Sequence, residues 1–178
     1  TNDVNTAITG STVESTGGAV SLDAESSAVI RALNLGVSGS GAVSVQVNAM
    51  GNTIVNDVAA DITDSTVTAF NDVSLAASDM APTVVSALNI PDNREDEVTA
   101  AFDDSDSPFG LASFTDANIL ALNLSVAGSG LVAVDVNLTG NVITNTVLTT
   151  IDNSTVTATN GNLTSAAESS AVITSLSL

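Results

Sequence analysis

Val43, Val45 and Val47 alternate with Ser44 and Gln46, and further along Val132, Val134 and Val136 alternate with Ala133 and Asp135. A period of two places the valines on one face of an extended strand. Turn residues bracket both runs. Gly39, Ser40 and Gly41 precede the first and Gly128, Ser129 and Gly130 the second, while Gly51-Asn52 and Gly140-Asn141 close them; these residue types supply the tight corners between strands. Further strands are expected at 65–69, 73–76 and 154–158. No segment combines helix caps, Lys/Glu pairs and a 3.6-residue apolar stripe. The pattern predicts an all-β chain.

The two valine runs belong to a longer internal repeat. ALNLGVSGSGAVSVQVNAMGNTIVNDV from Ala32 recurs from Ala121 as ALNLSVAGSGLVAVDVNLTGNVITNTV, an offset of 89 residues (121 − 32). Similar phrases close four segments: ALNL at 32–35, ALNI at 87–90, ALNL at 121–124 and SLSL at 175–178, so the spacings are 55, 34 and 54. Self-similarity on this scale marks stacked repeats, and with roughly 18 to 21 residues per coil these spacings correspond to about three, two and three coils, roughly nine over the whole chain. One β-solenoid domain is therefore expected over 1–178, with repeats at 2–35, 36–90, 91–124 and 125–178. The third repeat is shortened and carries an acidic loop at 91–110. AESSAVI at 24–30 also returns at 167–173. The two ends are thus in phase, and the chain reads as a mature polypeptide or a window of a longer array.

Apolar residues are mostly Ala, Val, Leu and Ile, with four Phe and neither Trp nor Tyr. That selection suits a narrow interior in which like residues stack from coil to coil. Twenty acidic residues face only Arg31 and Arg94, a formal net charge of -18. Such a chain is a poor partner for nucleic acid. The absence of a long apolar run argues against membrane insertion. Acidity of this degree keeps a β-rich polymer soluble and discourages lateral strand pairing. With no Cys there is no disulfide.

Candidate site chemistry is sparse. Asp92, Glu95, Asp96, Glu97, Asp103, Asp104 and Asp106 crowd one stretch, and Ca²⁺ takes six to eight hard oxygen ligands. The spacing does not fit an EF-hand loop. Three readings stand: weak calcium binding at Asp103, Asp104 and Asp106, a specific calcium site, or a solvated acidic loop; otherwise no cofactor is expected. A chain without His, Cys or Lys builds no Ser-His or Cys-His pair and no Schiff base, so no catalytic residue is expected. Paired carboxylates can cleave glycosides, but no Trp or Tyr is present to seat a sugar. Thr66-Val67-Thr68 and Thr155-Val156-Thr157 resemble a flat threonine face, which Thr12-Val13-Glu14 interrupts. Asn48 with Asn137, Asn52 with Asn141 and Asn56 with Asn145 read as turn residues or stacked amide ladders.

The phrases STVTA, VSLDAESSAVIRALNLGVSGSGAVSVQVN and GNTIV resemble the repeats of giant secreted bacterial adhesins of the filamentous haemagglutinin-like class. The resemblance implies a right-handed parallel β-helix in the shaft of a secreted or cell-surface protein, with roles in adhesion, biofilm or filament formation and no shared catalytic residues. The expected partners are other copies of the chain, stacked end to end, or further repeats of the same polypeptide. Asp3, Val4 and Ile8 at one end and Ala171, Val172, Ile173, Leu176 and Leu178 at the other are the expected assembly ends, because an uncapped coil exposes unpaired amides and carbonyls. The alternatives are a passive shaft of a longer adhesin whose tip binds a receptor, and a calcium-dependent carbohydrate-binding module.

Overall fold

The computed structural model describes residues 1–82 and 117–178. The acidic loop and the ALNI phrase at 87–90 lie outside the described residues. Twelve strands are present among them, in chain order β1 (Asn2–Thr9), β2 (Thr12–Ser15), β3 (Val20–Ser26), β4 (Ile30–Ser40), β5 (Val43–Thr63), β6 (Thr66–Ala69), β7 (Val73–Met80), β8 (Ile119–Ser129), β9 (Val132–Asp152), β10 (Thr155–Ala158), β11 (Leu163–Ser170) and β12 (Ile173–Ser177). They form four three-stranded sheets, ordered β1-β5-β9, β2-β6-β10, β3-β7-β11 and β4-β8-β12. The strand pairings are parallel in every sheet.

Equivalent phrases stack on one another. Ala32-Leu33-Asn34-Leu35 pairs residue for residue with Ala121-Leu122-Asn123-Leu124, so the self-match of the sequence is the register of a sheet. Between β1 and β5 and between β2 and β6 the offset is 54, as in Asn2 with Asn56 and Thr12 with Thr66, and between β3 and β7 it is 53, as in Val20 with Val73. The spacings of 55 and 34 read between the closing phrases thus add to one step of the longer offset. From β1 to β5, β2 to β6 and β3 to β7 the chain returns to its sheet after three other strands have been laid down.

The chain divides into two compact units, with β5 and β9 each giving one half to either. The first unit comprises Thr1–Ser27, Val55–Met80 and Thr144–Ser170. Its core is Leu22, Ala24, Val58, Ala60, Ile62, Val67, Ala69, Val73, Leu75 and Ala77, with Val4, Ile8, Val13, Val20, Val147, Val156 and Ala158 packed against it. The best-buried members lie on β5, β6 and β7, the middle strand of each sheet. A middle strand has a neighbour on both sides, so Val67 is covered by Val13 and by Val156.

One corner of this unit repeats in all three layers. Gly10, Asp64 and Asn153 have φ of 56, 50 and 45, the left-handed region in which Gly is unstrained and Asn and Asp are the best tolerated alternatives. A serine follows each. Ser11, Ser65 and Ser154 donate from Oγ to the carbonyl two residues back, each at 2.7 Å. The Ser11 amide then donates to Ser65 Oγ and the Ser65 amide to Ser154 Oγ, both at 3.0 Å. The hydroxyls form a ladder that satisfies amides the corner would otherwise orphan.

Beside the core, Asn2, Asn56 and Asn145 donate from Nδ2 to Ser26 Oγ, Asp79 Oδ1 and Ser169 Oγ, at 3.0, 3.0 and 3.4 Å. Asp79 occupies the column of Ser26, is fully buried, and leaves Oδ2 without a partner. A buried, unpartnered polar atom costs about 1–3 kcal/mol. Asp79→Ser, which copies the other two layers, is therefore expected to stabilise the chain by about 1–2 kcal/mol. A melting temperature lower than the parent's in calorimetry would show that the carboxylate is needed.

The second unit comprises Ala28–Ile54, the described part of Ala81–Ile143, and Ala171–Leu178. Among the described residues its apolar cluster is Ile54, Ile119 and Ala121, with Ala28, Ile30, Met50 and Ile143 against it. Beyond that cluster the faces are reversed. Ser44 and Gln46 are buried while Val43, Val45 and Val47 are 57%, 62% and 63% exposed. Asn123, fully buried, donates from Nδ2 to the Leu138 carbonyl and to Thr139 Oγ1. The valines do share one face, as the alternation predicts, but that face is outside, so the stacked Val, Leu, Ile and Ala interior holds for the first unit and fails here. The reason is phase. β5 runs without interruption from Val43 past Ile54, and Ile54, at an even position in this unit's cluster, sets which side is inward; odd-numbered valines upstream are then outward.

Candidate functional site

The residues expected to act are backbone groups at sheet edges, so the site begins with strand pairing. Within the described residues β1 to β4 are paired on one side only, as are β9 to β12, because β5 to β8 lie between them. Each outer strand presents a row of amides and carbonyls that its own sheet does not use.

Which groups point outward follows from the bonds already made. In a parallel ladder alternate residues turn both N–H and C=O to the same neighbour. The Leu178 amide donates to the Asn123 carbonyl and its carbonyl accepts from the Ser125 amide, both at 2.9 Å; Val172 accepts from the Ile119 amide at 3.2 Å. The even-numbered residues of β12 are thus committed to β8. Ile173, Ser175 and Ser177 turn their amides and carbonyls to the open edge.

Leu178 is further occupied by Asn137 Nδ2, which donates to its carbonyl at 2.7 Å, and the Val172 amide donates to Asn118 Oδ1 at 3.0 Å. Of the expected end residues on β12, Ile173 is the one whose backbone alternation leaves free; on β1 the Gly10 amide donates to the Thr63 carbonyl, so Val4 and Ile8 turn their backbone to β5 and Asp3 to the open edge. Leu176 lies on β12, and Ala171 is exposed just before it. At the other end Asp3, Val4 and Ile8 lie on β1. Asp3 is exposed, and Val4 and Ile8 are half-buried against the first unit's core. Two of these three therefore serve packing.

Charge on the edges is uneven. Glu25 on β3 and Glu168 on β11 both register with Ser78 of β7, from opposite sides. Asp3 registers with Asp57 and Glu14 with Thr68. The signal for the Glu25–Glu168 column in the sequence is the phrase AESSAVI shared by 24–30 and 167–173. Arg31 donates from Nη1 to the Ala117 carbonyl at 2.6 Å, where the chain enters β8, and partial burial lowers its pKa. Even so an arginine stays protonated.

The amide ladders expected from the sequence are present at two of the three positions. Asn48 donates from Nδ2 to Asn137 Oδ1 at 3.1 Å and Asn52 to Asn141 Oδ1 at 2.8 Å. Asn56 and Asn145 turn instead to Asp79 and Ser169. Thr66 stacks on Thr155 and Thr68 on Thr157, with Thr12 and Glu14 beside them in the first layer, so the interruption noted in the sequence lies on the same sheet. Asp103, Asp104 and Asp106 lie outside the described residues. Among the described residues no group of three or more Asp and Glu is placed to hold a metal ion, and no helix is long and apolar enough to cross a membrane.

No family model, curated protein or solved structure matches this chain.

Proposed function

We propose that the chain is a structural, non-enzymatic β-solenoid, a subunit or segment of a secreted filament or adhesin that assembles by end-to-end stacking. On this reading one winding takes four strands, running from Asn2 round to Asn56 above it. The observation that carries the proposal is the register: all four sheets place their strands in the same order, and the two outer layers carry matching sequences, so the edge formed by β1 to β4 is the natural continuation of the edge formed by β9 to β12. Continuing the register sets the joint. Residues 30–34 of one copy would lie over 173–177 of the next, and 3–8 over 146–151; Asp3–Ile8 and Ala171–Leu178 would therefore take part in the same joint without touching each other.

The same continuation puts Glu25 of one copy directly beside Glu168 of its neighbour, and like charges directly opposite in a sheet are destabilising. Assembly should accordingly be weak at low salt and strengthened by screening. Electron microscopy of the full chain tests the proposal: fibres are expected for the parent in about half-molar salt, and at a roughly tenfold lower protein concentration for Glu168→Lys, which turns repulsion into attraction. Ile173→Pro removes an outward amide and keeps β12 paired to β8; it should yield no fibres with unchanged circular dichroism. Short monodisperse particles from the parent at every salt concentration would instead make the chain a passive shaft segment.

A further inference from the structure

The second unit carries a surface that end-to-end stacking does not use. Along the outer row of β5 stand Val43, Val45 and Val47, and beside them on β9 stand Val132, Val134 and Val136. All six are exposed, as are Leu138 and Val142 farther along β9. The offset fixed by the Asn48–Asn137 and Asn52–Asn141 bonds sets each valine of one strand beside a valine of the other. The remaining outer positions are Ala49, Gly51, Thr53 and Gly140. Asp135 has the opposite parity and accepts a hydrogen bond from Ser125 Oγ. A chain with a net charge of -18 thus keeps one sheet face free of charge.

We propose that this valine face docks on the same face of a second copy of the chain. Three arguments select that occupant. The exposed apolar area is on the order of 700 Å², near the ~800 Å² per partner of a stable protein interface and more than monomers usually leave in one patch. A face built of two like rows of valine is its own complement, which a two-fold pairing requires, and two such sheets interdigitate at about 10 Å. A membrane-spanning role is disfavoured because, among the described residues, β9 has an unpaired edge, and open edges are not tolerated in hydrocarbon. The pairing is lateral and independent of the stacking joint.

Two acidic chains brought together by an uncharged face bind more tightly as salt rises, the reverse of an interface held by opposite charges. Sedimentation equilibrium on the full chain carrying Ile173→Pro, which removes end growth, isolates this contact. A dimer is expected, with a dissociation constant that falls as NaCl goes from about 50 mM to about 0.5 M. Adding Val45→Thr and Val134→Thr, which keep β-branched side chains in both strands, should weaken the dimer by roughly tenfold or more. Because the chain has no Cys, a spin label on Ala49→Cys reads the face separately, and a dipolar coupling between copies is expected. Three results would overturn the proposal: a monomer at about 100 μM in both salts, a dimer indifferent to the two threonines with no coupling at position 49, or a monomer that binds phosphatidylcholine vesicles through this face.

Discussion

Val67→Asp is expected to unfold the first unit. Val67 is fully buried on β6, with Val13 on one side and Val156 on the other, and no cationic side chain belongs to the cluster around it. An aspartate there loses the valine packing and buries a carboxylate without a counter-ion, together above about 4 kcal/mol. That is a large share of the roughly 5–15 kcal/mol that holds a domain folded. Circular dichroism under urea should show the loss. Thr66→Asp, one position away on the outward face, is the control and should shift stability by no more than about 0.5 kcal/mol. Equal melting of the two variants would mean that the alternation of this strand is assigned to the wrong faces.

Gly161→Ala comes next in size. Gly161 lies in the turn between β10 and β11, stacked on the corresponding turn of the layer before it. A Cβ added there would fall 2.4 Å from Asp72 Oδ1, 2.6 Å from the Asn71 carbonyl carbon and 2.6 Å from the Asp72 nitrogen. Two of these atoms are backbone, so relief requires the turn to move. The Asn162 amide donates to the same Asp72 Oδ1 at 2.7 Å, and that bond would go with it. A loss of about 2–3 kcal/mol is expected from thermal unfolding. Gly17→Ala, where a Cβ meets nothing within 4 Å, should be nearly neutral. If both substitutions cost the same, the two turns are not in contact and the layers are spaced more widely than the register indicates.

Much of the fold was legible along the chain. Strand type came from period-two alternation, and the register of β4 on β8 is the self-match of the ALNL phrases, because parallel stacking puts equivalent residues of successive layers side by side. The amide ladder could be read the same way at Asn48 and Asn52, where only stacking decides the partner, but not at Asn56, where the serine column holds an aspartate in that layer. The number of strands between stacked neighbours was not legible, because the length of a repeat says nothing about how many corners the chain turns within it. The edge groups of β12 were legible as a region and not as residues: that Ile173 turns outward while Val172 and Leu178 turn inward depends on the bonds β8 makes.

What the sequence by itself determined is the all-β character, the self-match that becomes strand register, and the charge. Only the tertiary structure decided which face of each strand is inside. Alternation has two phases that look alike along a chain, and for the valines of the second unit the choice between them is made where its own cluster closes, at Ile54. An unbroken β5 carries that choice back to Val43, and so turns onto the surface the valines that a linear reading would bury.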